Sequence, residues 1–167
     1  IESIQAIKVI QGNNGELGAN RYIISNNENA LNVMETFALI RLSDWENPTV
    51  DVVPLFESVD DLLNAHNVME QLYTNPVYAN HLVNREMKQT IMLGFSDGTK
   101  DGGYLMANWS IYKAKEELTA ISRKYGIKVI FFDGRGGPPS RGGGKTHKFY
   151  ASLGPKIENN QIQITVQ

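Results

Sequence analysis

A chain of 167 residues, 41% of them hydrophobic, has the length for one domain with a core and not for two. Its formal net charge of −2 gives no global attraction to nucleic acid or an anionic membrane, so neither is expected as a partner and any anion site must be local. The lack of cysteine excludes disulfides and thiolate metal sites; no apolar run nears ~18 residues and no signal peptide is visible, so a cytoplasmic protein is expected.

The chain opens at Ile1, without a Met, inside an apolar-periodic stretch, and Ile4, Ile7 and Ile10 continue that stretch at helical spacing until the loop 12–15. It stops at Gln167, directly after an alternating run, so an excised piece of a longer protein is expected. Residues 21–25 read as a short buried strand. Asn26 and Asn27 then offer N-caps to a helix whose apolar face would carry Leu31, Met34, Phe37, Ala38 and Leu42. Residues 51–56 form the next strand, closed by Glu57, with Pro54 demanding a gap or bulge in its pairing. Ser58 and Asp61 resemble a capping box for a helix to about Tyr73, and Asn75-Pro76 starts a second, short helix to about Arg85.

Residues 89–95 are a strand that leads into the loop 96–103. A long helix, 103–125, follows, with Gly126 where a C-cap belongs. Its Tyr104, Trp109 and Tyr112 fall at mixed spacing and read as packing residues. A fourth strand, 128–132, enters the glycine-rich loop Asp133–Lys145; one or two helical turns over 146–152 then precede a last strand. Strands alternating with helices every ~35–40 residues mean βαβ crossovers and a parallel sheet. The fold class is therefore α/β, read as consecutive β/α units of a TIM-like (β/α)8 barrel. That makes a partial barrel of parallel strands and helices, although an open doubly wound sheet fits the period equally well.

Three strands end in charged residues: Glu57, then Asp97 and Lys100, then Asp133 and Arg135. Ligands of parallel α/β folds bind at the carboxyl ends of strands, so these ends should converge on one face. The loop from Asp133 packs six glycines, two arginines and a lysine into thirteen residues. Glycines such as Gly136 and Gly137 let backbone N–H groups reach an anion, and Arg135 and Arg141 add planar charged forks suited to phosphate or carboxylate. A cationic linker is the bland alternative. Gly144-Lys145-Thr146 imitates the end of a P-loop, but that motif needs glycine where Pro139 stands; the same proline denies Gly134 and Gly136 a dinucleotide fingerprint.

Asp97 and Lys100 lie between a strand end and a helix start, where anions are favoured, and Asp101 reads as that helix's N-cap. Glu57 and Asp97 end neighbouring strands, and two carboxylates completed by water suit Mg²⁺ or Mn²⁺. Glu57 pairing with a rim lysine is the alternative. The histidines show no metal spacing: His66 and His81 read as surface or packing residues, and His147 either reaches the site or starts a helix.

The stretches VVPLFESVDDL, FSDGTKDGG and DGRGGPPSRGGGKTH, in this order, resemble the central barrel of the phosphoenolpyruvate carboxylase family. The resemblance runs over the whole chain and is strongest over residues 53–147. It implies that residues 1–167 are a fragment of a single catalytic barrel domain of a larger, cytoplasmic enzyme, a homo-oligomer of four subunits. By the resemblance Glu57 and Asp97 are ligands of the divalent metal and Lys100 handles bicarbonate. Arg135 contacts the substrate phosphate, and Arg141 serves carboxylation and contacts a feedback inhibitor such as aspartate or malate. The implied reaction joins phosphoenolpyruvate and bicarbonate into oxaloacetate and phosphate, through carboxyphosphate and an enolate; the fragment alone is expected to be inactive. Three residues depart from the family pattern. Asp133 stands where histidine is common and would repel phosphate unless paired with an arginine. Ser140 replaces a glycine, and Gly98 replaces a serine.

Two other functions use the same residues. A metal-dependent barrel aldolase or lyase of 2-oxoacids needs the strand-end carboxylates but not two arginines in a glycine loop, and bicarbonate dependence separates it. A non-catalytic phosphate-binding module would keep the loop and tolerate loss of Lys100 or Arg141.

Overall fold

Strands form where β-branched and aromatic residues run together, and each is joined to the next through helix. The structure, a computed structural model, describes residues 1–134 and 145–165. The strands are β1 (Arg21–Ile24), β2 (Asp51–Phe56), β3 (Lys88–Gly94), β4 (Lys128–Gly134) and β5 (Ile162–Ile164). The helices are α1 (Glu2–Asn14), α2 (Ala30–Leu42), α3 (Val59–Thr74), α4 (Pro76–Asn84), α5 (Ser96–Lys124) and α6 (Thr146–Ala151). All strand pairs are parallel and their order in the sheet is the order in the sequence. A doubly wound sheet reverses its order at a switch point. Among the described residues this sheet has no reversal, which is consistent with a partial barrel and not with the doubly wound alternative.

Residue parity fixes the two faces of the sheet. Val52, Phe56, Ile91, Leu93, Val129 and Phe131 share one core with α2, α3, α4 and α5. Val53, Leu55, Thr90 and Ile130 are also buried but lie at the alternate positions, on the other face. Both faces are therefore largely apolar, as in parallel sheets covered on each side. On this second face Arg21 of β1 reaches Gln163 of β5, Nε to amide oxygen 3.3 Å with the amide turned to present its oxygen. These are the two edge strands of a five-stranded sheet, so the sheet is strongly curved and the face away from the helices is concave.

Pro54 is accommodated by a split between β2 and β3. β2 pairs with β1 from Asp51 to Pro54 but with β3 only at Leu55 and Phe56. Below the proline the carbonyl of Val52 accepts instead from the Gln89 amide (3.1 Å), with the Tyr78 hydroxyl oxygen 3.4 Å away. Tyr78 donates its proton to the Gln89 side-chain oxygen at 2.9 Å, so the buried amide is satisfied. Burial pushes the Tyr78 hydroxyl pKa far up, which keeps it a donor.

Several expected elements shift. α1 runs through Gly12 to Asn14 and stops at Gly15 (φ 79°); only Ile4 of its apolar residues is fully buried. α2 is capped by Asn29, three residues from its partner Asn32, rather than by Asn26 or Asn27. Its buried face is Val33, Phe37 and Ile40, while Leu31 and Leu42 are 63% and 77% exposed. Of the expected stripe, Phe37 is buried and Met34 is partly buried against the core. The Ser58–Asp61 capping box forms in both directions, and Asn75 caps α4 with Pro76 in its first turn. Residues 96–102 are helical rather than a loop; α5 breaks at Gly103 (φ 78°, ψ 170°) and continues to Lys124. Tyr104 and Trp109 are 58% and 59% exposed, so they are not the packing residues their spacing suggested. Among the described residues no helix is long and apolar enough to cross a membrane.

Candidate functional site

The carboxyl ends of β2 and β3 carry the candidate site, and glycine lets them approach. Gly94 closes β3 and is the register partner of Gly134 at the end of β4. A Cβ on Gly94 would lie 3.2 Å from both Cα and Cγ of Glu57, and one on Gly98 would lie 3.3 Å from the Glu57 carbonyl oxygen. Glu57 is thus seated against the β3–α5 junction that carries Asp97. It follows Val53 and Leu55 in parity, on the concave side of the sheet. Its Oε2 accepts the Asn26 N–H (3.2 Å) from the turn after β1, where Asn26 has a left-handed φ of 52°. No lysine pairs with Glu57 among the described residues, so the rim-pair alternative does not apply there.

Asp97 and Lys100 ride on the first turns of α5, which begins without a side-chain cap. The helix start favours anions at this end of the sheet. Lys100 Nζ donates to Asp97 Oδ1 at 2.7 Å, with side chains 77% and 53% exposed. An i,i+3 pair this open is worth little, so either group can exchange its partner for a ligand at small cost. Asp101 does not cap its own helix. Its Oδ2 accepts the Val59 N–H at 3.3 Å, at the first turn of α3, where Ser58 Oγ already holds the Asp61 N–H at 3.1 Å. The start of α3 is therefore occupied by carboxylates from within the fold.

The donor set allows a hard divalent cation. Among the described residues no group of three or more His, Cys, Asp or Glu forms a complete ligand shell. Mg²⁺ does not need one: it binds commonly through one or two carboxylates with water and substrate phosphate completing the octahedron. Glu57 and Asp97 offer two carboxylates on adjoining backbone. His81 offers nothing here: it is 4% exposed, with its ring 4.6 Å from that of Phe37, and burial followed by the nearby Arg85 charge lowers its pKa to about 4. His147 is exposed at the start of α6.

Asp133 corrects the largest expectation. The strand continues through Asp133 to Gly134, and parity turns the carboxylate toward the helices, opposite to Glu57. It is 1% exposed and bonded to Lys115 Nζ at 2.8 Å and to the Tyr150 hydroxyl at 2.6 Å. A lysine, not an arginine, balances it, and it does not face the anion site. Lys115 and Tyr150 were missed by sequence reasoning. The signal for Lys115 was present: it interrupts the buried stripe Ile111, Ala114, Leu118 of α5. Arg135, Gly136, Gly137 and Arg141, with Ser140, lie outside the described residues.

A sequence model of the family described as "Phosphoenolpyruvate carboxylase" matches residues 1–167. The chain is 37% identical over 164 residues to proteins named phosphoenolpyruvate carboxylase from Nitrosomonas eutropha and Nitrosomonas europaea, with 95% of this chain covered in each case. The match takes up 18% of either relative, so the chain spans less than a fifth of their length.

Proposed function

Since the chain belongs to the phosphoenolpyruvate carboxylase family, we propose that it forms part of the catalytic barrel of an enzyme making oxaloacetate and phosphate from phosphoenolpyruvate and bicarbonate. The parent is read as a cytoplasmic homo-oligomer with a (β/α)8 barrel. The sequential parallel order and strong curvature of the sheet support the barrel. The observation that carries the reading is the seating of Glu57 on Gly94 and Gly98, beside Asp97 and Lys100, within a chain matched end to end by the family.

In this reading Glu57 and Asp97 hold Mg²⁺ or Mn²⁺, whose charge would stabilise the developing enolate. Lys100 leaves its weak pair with Asp97 and orients bicarbonate, adding positive charge where carboxyphosphate forms. Arg135 grips the substrate phosphate with help from the Gly136 and Gly137 N–H groups; Arg141 serves carboxylation and contacts to an inhibitor such as aspartate or malate. Glu57 is itself oriented by the Asn26 N–H, which leaves its other oxygen for the cation.

The test is bicarbonate-dependent formation of oxaloacetate and phosphate by the complete protein with Mg²⁺ and phosphoenolpyruvate. Turnover without bicarbonate would instead favour a lyase or aldolase of 2-oxoacids. The 167-residue chain alone is expected to be inactive; oxaloacetate above background from it would overturn the view that its share of the site is incomplete.

A further inference from the structure

Asp133 stands just before the glycine-rich segment 135–144, and Tyr150 stands on α6 just after it. One carboxylate oxygen, Asp133 Oδ2, accepts both the Tyr150 hydroxyl (2.6 Å) and the Lys115 ammonium (2.8 Å). It therefore joins the chain before the segment, the chain after it, and α5, the helix whose first turns carry Asp97 and Lys100. Asp133, Lys115 and Tyr150 are 1%, 2% and 8% exposed. Lys115 Nζ also lies 5.5 Å from the ring centroids of Phe131 and Tyr150, so its charge is met by a carboxylate and two aromatic faces.

A buried ion pair is seldom more stabilising than apolar packing of the same volume. Between β4, α5 and α6, in a wall otherwise built of Phe131, Ile111 and Leu118, apolar residues would fill the space. What two directional contacts on one oxygen add is a fixed spacing between the two elements that donate them and the strand that accepts. We propose that Asp133, Lys115 and Tyr150 form a buried clasp that holds β4 and α6, the described flanks of segment 135–144, together and against α5, making Asp133 a positioning residue for anion binding rather than a ligand. With Lys115 buried beside it, the Asp133 carboxylate balances the ammonium charge. That phosphoenolpyruvate is the anion rests on the carboxylase reading above.

The test uses the complete protein and Tyr150→Phe, which keeps the ring and removes the hydroxyl. The clasp predicts a rise of about fivefold or more in KM for phosphoenolpyruvate with kcat within about twofold, the pattern of lost binding rather than lost chemistry. It also predicts faster amide exchange in residues 128–134 and 145–151, with β2 and α3 unchanged. Asp133→Asn, which keeps an acceptor oxygen, should raise KM less than Asp133→Leu. A Tyr150→Phe protein of lowered melting temperature but unaltered KM would reduce the cluster to packing and overturn the clasp. If the unaltered protein makes no oxaloacetate, the carboxylase reading falls by itself. Exchange in the two flanks then decides the clasp, and unchanged rates in Tyr150→Phe overturn it.

Discussion

Replacing His81 should flatten the acid side of the stability profile of the chain. The imidazole is packed against Phe37 and Tyr78 and is 4% exposed. Loss of hydration, then the charge of Arg85, lowers its pKa from 6.5 to about 4. Below pH 6.5 the unfolded chain binds a proton that the folded chain refuses until about pH 4. Stability therefore falls as pH drops through that window and levels off beneath it. For a group shifted between those two values, linkage gives a loss of about 2 kcal/mol between pH 7.5 and 5, and about 3 kcal/mol over the whole window. Urea unfolding followed by circular dichroism, at pH 7.5 and 5, measures this for the wild type and for His81→Phe. Other titrating groups contribute nearly equally to both proteins and cancel in the difference. The wild type should lose about 2 kcal/mol more than the variant over this interval. Parallel losses, within about 0.5 kcal/mol, would mean that the ring is hydrated or protonated in the fold and would refute the argument.

Three further outcomes follow from the same geometry. Lys115→Met leaves the Asp133 carboxylate buried without its cation and should cost about 3–5 kcal/mol in urea unfolding, most of it recovered in Lys115→Met/Asp133→Leu. Ser58→Ala removes the acceptor of the Asp61 N–H and should cost about 1 kcal/mol, with faster amide exchange confined to the first turn of α3. Gly94→Ala pushes a methyl against Cα and Cγ of Glu57, and in the complete enzyme it should raise the Mg²⁺ concentration for half-maximal rate by about threefold or more, as displaced ligands do.

The elements whose signals are local were legible in the sequence. The Ser58–Asp61 box, Asn75-Pro76 and the β-branched runs act within a few residues, so α3, α4 and the strands fall where the pattern puts them. The buried face of α2 was not legible, because Leu31, Leu39 and Leu42 are as apolar as the residues that the sheet covers. Helix within 96–102 was hidden by two glycines, which depress intrinsic propensity; one of them, Gly98, is buried against Glu57 and Ala107. Asp101 and Asp133 were misread for one shared reason. Each serves a partner distant in sequence, Val59 and Lys115, and spacing carries no record of which face a strand-end carboxylate takes. That Glu57 and Asp97 follow adjoining strands was legible, because parallel topology alone sets the carboxyl ends of neighbouring strands side by side.

The split beneath Pro54 decides where this sheet can give. β1 and β2 form one hydrogen-bonded raft, β3 to β5 another, and the two are zipped by backbone only at Leu55 and Phe56, next to Glu57. At the amino end they are joined instead through the buried Gln89 amide, which donates to the Val52 carbonyl at 3.1 Å. Backbone pairing between the two rafts is thus confined to the end that carries Glu57. The ladder fixes the spacing of the rafts beside that carboxylate, and side chains alone fix it at the other end.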